Sequence, residues 1–371
     1  MSTLHQHGDL EGRVMDSSFY IWDADDPKDH QAWIDFWLSW PEREVSSHPG
    51  YVGLFKGQGD RIMCAAYKSR DGFVLYAFIL REVRPSPIAD TVLRDMTTPY
   101  GYGGPFVWGL TDVANVSKGF WSTFDEWAAA NSVVTEFIRF ALFPEKLLPY
   151  PGEVSCRSQN VVRSLQVDDD SLFKSFEAKV RKNVRKAVRH GLAVKIDEDG
   201  SYLADFMRIY ESTMNRREAT SGYYFPRKFF EAIKRNLPGQ FAYLHVVLDE
   251  NIVSTELVLL SHDTSYSFLG GTDSSYFDLR PNDLLKYEII RWSRSKGLKH
   301  FVLGGGAAPN DGIERYKRSF APSGNVDFLT GQRILMPQAY EQLVLRREAE
   351  SSASDARDTD HAFFPAYRRP A

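Results

Sequence analysis

Cysteine is scarce in this sequence: Cys64 and Cys156 are the two in 371 residues. Two cysteines cannot build a disulfide framework, which fits a reducing compartment, and Cys64, inside the apolar run RIMCAAY, reads as a small core residue. Long hydrophobic runs are missing as well. No stretch approaches the roughly 20 apolar residues of a membrane-spanning helix, and MSTLHQHGDLEGRV at the start has no apolar signal core. A cytoplasmic protein without a membrane span is therefore expected. Neither sign of charge dominates: 45 Lys and Arg against 49 Asp and Glu leave a net charge of −4, so any basic surface must be local. Familiar catalytic signatures are also missing, with no GxSxG, GxxxxGK[ST], HExxH or paired CxxC. Gly57-Gln58-Gly59 lacks the rest of a dinucleotide fingerprint, and no two of the nine histidines stand at i, i+4 on a helix, so a metal site has no support. His190 and His245 read as surface or structural histidines rather than bases.

Aromatic residues, by contrast, are abundant: 8 Trp, 18 Tyr and 25 Phe are enough for a large core. Residues 1–18 are polar and read as loose. Trp33, Phe36, Trp37 and Trp40 then recur at i, i+3, i+4, i+7 and give one apolar face to a helix over 29–40. Strand-like runs at 51–56, 61–67 and 73–80 are separated by the turn segments 57–60 and 69–72, an antiparallel meander. A loop at 98–106, a helix at 115–130 and a strand at 133–140 follow. Pro144, Pro149, Pro151 and Gly152 place a boundary between a first domain, 1–150, and a second, 151–345. The second reads as a strand (155–167), one long helix (171–190) capped by an aspartate run and closed by Gly191, and further helical segments at 202–217 and within 223–236. A second meander (241–248, 252–261, 265–270), a helix, a strand, a last helix and a closing hairpin at 326–336 complete it. Residues 346–371, charged and rich in small side chains, read as a disordered tail. Three antiparallel strands, a glycine loop, a helix and a strand occur in both halves. That repeat of pattern, without repeat of residues, predicts two related α/β modules in tandem.

The stretch 280–320 is the centre of interest. Pro281, Asn282 and Asp283 start a helix that Gly297 stops, 300–303 is an apolar strand, Gly304-Gly305-Gly306 turns the chain, and Asp311 with Glu314 resembles a helix cap. Free N–H groups and a helix dipole at such a turn can hold an anion; a tight turn without a ligand fits the same residues. On that last helix Ile313, Tyr316 and Phe320 make the apolar face, and Lys317 borders it while Arg318 points to solvent. A partly buried ammonium needs an anionic partner or a task, unless its stem lets the charge reach water. The helix at 171–190 carries Lys174, Lys179, Arg181, Lys182, Arg185, Lys186 and Arg189 against one Glu177. Such a run is either a solvated face or an electrostatic guide for a phosphate-bearing ligand.

Several segments together resemble the Fem family, the peptidoglycan-bridge aminoacyltransferases and their relatives. These are KVRKNVRKAVRHG, YESTMNRREATSGYYF, LLKYEIIRWSRSKGLKHFVLGGG continued by GIERYKRSF, and, in the first half, TPYGYGGP with TEFIRF. The resemblance covers about 98–325. It implies tandem GNAT-like modules, an α/β (α+β) fold in which each module is a mixed, mostly antiparallel sheet flanked by helices. It also implies transfer of an acyl or aminoacyl group to an amine without a metal. Fem enzymes take the group from aminoacyl-tRNA, GNAT-like relatives from an acyl thioester of coenzyme A, and Fem acceptors are nucleotide- or lipid-linked muropeptides.

By position, Lys317 matches the lysine of the family's late G-x-x-x-[FY]-K-x-x-F segment, which is associated with stabilising the reacting carbonyl. Arg216 matches the arginine after a T-M pair, and Arg139 the one in the R-F segment. Two features depart from the pattern. Phe106, Val107 and Trp108 follow Pro105 where Fem enzymes often carry an acidic residue, and the helical-hairpin insertion of some tRNA-using members has no room. Amine acylation needs a held carbonyl and a stabilised oxyanion. Lys317 and the backbone donors of Gly304, Gly305 and Gly306 are expected to supply these, with Tyr223 or Tyr224 positioning the acceptor or relaying a proton. Arg139, Arg185, Arg216, Tyr102 and Asn282 complete the expected binding set. The reading is an N-acyltransferase acting on a cell-envelope, peptidoglycan or polysaccharide precursor, with no permanently bound cofactor and acyl-CoA or aminoacyl-tRNA as co-substrate. The competing reading is a non-catalytic GNAT-like module that binds a nucleotide-linked sugar or RNA.

Overall fold

Asp26 opens the first long helix by accepting from the backbone N–H of Lys28 and Asp29, and the elements after it follow the apolar periodicity of the sequence. The computed structural model describes residues 17–84, 86, 88, 91–306, 308, 311–351 and 363–369. The chain forms two units, one of residues 1–41, 46–157 and 328–371, the other of 42–45 and 158–327. In chain order the first comprises β1 (Ser18–Asp23), α1 (Pro27–Ser39), α2 (Pro49–Val52), β2 (Arg61–Ser69), β3 (Gly72–Glu82), β4 (Arg94–Thr97), β5 (Pro105–Trp108), α3 (Val113–Ala130) and β6 (Val133–Arg139). From β7 (Glu153–Ser164) the chain enters the second: α4 (Asp169–Lys174), α5 (Ala178–Arg189), β8 (Ala193–Asp197), α6 (Leu203–Arg216), α7 (Arg227–Asn236), β9 (Phe241–Leu248), β10 (Asn251–Leu260), β11 (Thr264–Thr272), α8 (Pro281–Ser295), β12 (His300–Gly304) and α9 (Gly312–Arg318). Then β13 (Asn325–Ile334) and α10 (Pro337–Ser351) return to the first unit.

In the first unit β1, β2, β3 and β4 pair antiparallel in sequence, β4 lies parallel to β6, β13 is antiparallel to β6, and β5 pairs with β3. Strands β2 and β3 are apolar on both faces because both faces are covered. Phe120, Trp121 and Phe124 of α3 pack on Tyr67, Val74, Tyr76 and Phe78. Trp33, Phe36, Trp37 and the following Trp40 pack with Cys64, Ala66, Leu75 and Ala77. The second unit repeats the scheme: β9, β10 and β11 form an antiparallel meander, β11 lies parallel to β12, and β7 and β8 close the two ends. Val180, Val184 and Ala187 of α5 and Leu285, Ile289 and Ile290 of α8 fill its core with Leu244, Val246, Val253 and Phe301. The expected mixed, mostly antiparallel sheets flanked by helices are present in both units.

Several local expectations are corrected. Of the strand expected at 51–56, residues 51–55 are helical: His48 Nδ1 accepts from Gly50 N at 3.0 Å and Pro49 takes the first helical position. The meander's outer strand is β1 instead, which begins at the end of the segment expected to be loose; residues 1–16 of that segment lie outside the described residues. The long helix at 171–190 is two helices, because Phe176 turns into the core and Glu177 N donates to Ser319 O at 3.0 Å. Arg181 then serves the freed end of α4, with Nη1 donating to Lys174 O at 3.0 Å and also to Phe176 O. The hairpin at 326–336 is a single strand. Gly331 is not a turn residue: a Cβ there would meet Tyr150 at 2.7 Å and Phe140 at 2.8 Å. Of the tail expected to be disordered from 346, α10 continues to Ser351 and Pro365–Arg369 is folded, while 352–362 lies outside the described residues.

Candidate functional site

Strands β11 and β12 pair over only three positions, Thr264↔His300, Ser265↔Phe301 and Tyr266↔Val302. The pairing ends where β11 bulges. Leu257 pairs with Leu269 and Val258 with Ser267, so Phe268 is an extra residue in β11. Thr264 to Tyr266 are buried, whereas Ser267 to Gly271 are half-exposed. Strand β12 has its own irregularity, since Val302 pairs with Val162 and Gly304 with Val161, which leaves Leu303 over. Beyond the third pair the facing edges carry backbone N–H and C=O groups not used in pairing each other, a template for an extended ligand.

A lysine stands at each lip of this gap. Lys286 of α8 donates to Ser267 Oγ at 2.7 Å, beside the bulge, and to Glu256 Oε1 at 2.5 Å. Both charged partners are buried, so neither keeps a full water shell. Lys317 of α9 donates to Gly305 O at 2.6 Å, just past β12. Burial is the main cause that pulls its pKa down to about 8; like charge on Lys286 adds to that, and Glu256 and Asp311 oppose it. The same helix is tied to α8, because Asn282 Nδ2 donates to Tyr316 Oη at 2.9 Å. Asp283 accepts from Asn183 Nδ2 at 3.1 Å, and burial raises its pKa.

The structure thus brings Lys317, Asn282 and Gly304 to Gly306 into one neighbourhood. It gives the glycines reasons of packing. Gly304 takes φ +81°, a Cβ on Gly305 would meet Gln159 O at 2.9 Å, and one on Gly306 would meet Asp311 Oδ1 at 2.5 Å. Asp311 caps α9, accepting from Glu314 N at 2.7 Å and Ala308 N at 3.2 Å. A carboxylate therefore already occupies the expected anion loop, which favours the ligand-free turn. The face of α9 is also corrected: Ile313 is exposed, Glu314 is buried, and Arg318 is half-buried and paired with Glu314.

The other expected residues are dispersed. Arg216 lies over the exposed Phe277 ring at 4.8 Å, and Tyr223 and Tyr224 are exposed just before the stacked pair Phe225 and Phe229, 4.2 Å apart. Arg185 lies over Phe173 at 5.2 Å on the outer face of α5. There it lines a shallow groove with Lys182, Val188, Arg189 and Tyr287. Arg139 and Tyr102 belong to the first unit. Sequence reasoning missed Glu256, Lys286 and Ser267. The signal was present: Glu256 interrupts the apolar strand STELVLL, and Lys286 interrupts the apolar helix face LLKYEII.

Residues 174–318, which carry this gap and both lysines, match the acetyltransferase (GNAT) domain family. This segment is a GNAT acyltransferase domain. The GNAT match takes in α5 to α9 and every strand from β8 to β12. No sequence among curated proteins matches the chain. Among solved structures the fold is similar to FemX, with a TM-score of 0.62 at 16% identity over 84% of this chain and 98% of that one. It is similar also to L-PGS from Bacillus licheniformis, with a TM-score of 0.50 at 12% identity over 89% of this chain and 99% of the other. At such identities the likeness is one of fold.

Proposed function

We propose that this chain transfers an acyl group from a coenzyme A thioester to an amine of a cell-envelope, peptidoglycan or polysaccharide precursor, in the cytoplasm. The observation that carries the reading is the gap after Tyr266↔Val302, with Lys286 fixing one lip and Lys317 the other. The bulged edge of β11 would receive the amide-bearing arm of the donor as an added strand. The donor's diphosphate would meet the N-terminus of α8, where Arg280 and Lys179 lie near Asp283. That turn departs from a glycine cradle: 272–280 contains no glycine, and Arg280 itself takes φ 64°. The thioester supplies an activated carbonyl and a thiolate leaving group. This chain's part is to hold the carbonyl at the β11 edge and to stabilise the oxyanion that forms when the amine adds, through backbone N–H groups and the Lys317 ammonium.

The test is release of free thiol from a panel of acyl-CoAs by purified protein with amine acceptors, the acylated acceptor being identified by mass spectrometry. Lys317→Met is expected to lower transfer by about 10²–10³ while donor binding, read by calorimetry, persists. Acyl-CoA binding that Lys317→Met leaves intact, with no transfer to any amine, would sink the enzymatic reading in favour of a binding module.

A second donor, aminoacyl-tRNA, is favoured by a separate observation. Lys179, Lys182, Arg185 and Arg189 are exposed on α5, and no ion pair to a carboxylate holds any of them among the described residues. Arg181, in contrast, is committed to the α4–α5 junction. RNA retention that falls steeply with salt and is lost in Lys182→Gln/Arg185→Gln/Arg189→Gln would move the donor from coenzyme A to tRNA.

A further inference from the structure

Arg139 ends β6 in the first unit, and its half-buried guanidinium has only neutral oxygens for partners. Nη1 donates to Thr97 Oγ1 and to Thr98 O, each at 3.2 Å. Among the described residues Nε and Nη2 have no acceptor and no carboxylate stands within ion-pair distance. Arg81 is close enough to repel it. Arg81 is itself satisfied, since Nε donates to Asp95 Oδ1 at 2.7 Å, and Asp95 Oδ2 takes Arg368 Nε at 2.7 Å. One carboxylate thus serves two arginines, and the third is left over. A cation drawn partly out of water without a counter-charge is costly unless an anion joins it.

The surroundings are aromatic. The guanidinium lies over the Phe137 ring at 4.9 Å, and Tyr51 and Tyr100 are near enough to act on its charge. Tyr51 Oη donates to Tyr100 O at 2.7 Å, Tyr100 is 47% exposed, and Tyr102 stands edge-on to Phe328 at 5.7 Å. Gly101 takes φ +94° in the loop that carries these rings, and a Cβ there would lie 2.9 Å from Tyr51 Oη. We infer that Arg139, with the rings of Tyr51, Tyr100 and Tyr102, forms a binding site inside the first unit for a carboxylate carried on a planar or apolar body. The Nε and Nη2 donors form a parallel pair that matches the two oxygens of a carboxylate, and Nη1 is already held by Thr97 and Thr98. One unmatched positive charge balances a carboxylate monoanion, whereas a phosphate dianion would keep an excess. The exposed Tyr100 ring gives the attached body a face to stack on. The inference goes beyond the acyl-transfer reading, whose residues all lie in the second unit, and does not depend on it.

The full chain is titrated with benzoate and, separately, with inorganic phosphate, by calorimetry and saturation-transfer NMR. Benzoate is expected to bind saturably, and Arg139→Gln to weaken it at least about tenfold, or about 1.4 kcal/mol. Arg139→Lys, which keeps the charge without the fork, falls between. Tyr100→Ala, on an exposed loop, is expected to weaken binding several-fold and carries the test if Arg139→Gln does not fold. Benzoate binding that is undetectable, or unchanged in the variants that fold, overturns the inference. So does Arg139-dependent binding of phosphate tighter than benzoate, which would make this a phosphoryl site. Lys317→Met is expected to bind benzoate as the wild type does, so loss of the transfer reading and loss of this site read out separately.

Discussion

Lys317 is a cation held where burial and Lys286 favour its neutral form, with a pKa near 8. If it stabilises an oxyanion as an ammonium, kcat/KM falls as pH rises through about 8, because the charge is lost there. Lys317→Arg, which cannot deprotonate in that range, is expected to flatten this alkaline limb while lowering the plateau. A profile that rises through the same pH instead would mark the neutral amine as the working form. The stability effect has the opposite sense. The folded pKa lies below the ordinary value of 10.5, so the unfolded chain binds more protons between the two, and this residue's contribution to stability rises from pH 8 to 10.5. The residue itself was legible, since Lys317 stands between Tyr316 and Phe320 on a short helix. Its electrostatic setting was not. Lys286 and Glu256 are 30 residues apart in sequence, and only folding brings Nζ to 2.5 Å from Oε1.

At the scale of elements, the departures from expectation come from single side chains whose contacts decide where an element starts, bends or ends, as His48 does at Gly50 and Arg181 at the α4–α5 break. Arg181 reads as one charge among seven on a basic helix, yet its donation to Lys174 O holds the α4–α5 break. Arg181→Ala is expected to cost about 1.5–3 kcal/mol in denaturant unfolding. By contrast, Arg185→Gln on the exposed face should stay within about 0.5 kcal/mol of the wild type. Gly331 gives an equally sharp test. As a hairpin residue it would tolerate alanine, but in β13 a Cβ would sit 2.7 Å from Tyr150 and 2.8 Å from Phe140. Gly331→Ala should therefore destabilise by about 1–3 kcal/mol, measured by the denaturation midpoint. The α1 and α3 faces follow directly from periodicity, because each helix buries its apolar residues on one side, while the second meander follows from apolar runs bounded by turn residues, β9 and β10 being buried on both faces.

For the whole molecule, the informative contacts are those of the last residues with the first unit. Arg368 Nε donates to Asp95 at 2.7 Å, and its Nη2 to Glu82 O at 2.7 Å. Tyr367 Oη bonds Asp95 Oδ2 at 3.2 Å and Thr135 Oγ1 at 2.8 Å. Ending the chain after residue 362 would leave buried Asp95 with Arg81 alone, a loss of about 1.5–3 kcal/mol, read as a Tm lower by several degrees. An unchanged Tm would show that the terminal contacts add nothing. The sequence by itself determined the repeated pattern of meander, helix and strand, the apolar faces of the helices and the position of Lys317, because periodic burial and capping are written in neighbouring residues. Only the tertiary structure decided that β11 parts from β12 at Phe268, that Glu256 and Lys286 meet beneath that gap, and that β13 returns to β6. Those outcomes depend on which distant groups satisfy one another once water is excluded, and no local pattern encodes such a choice.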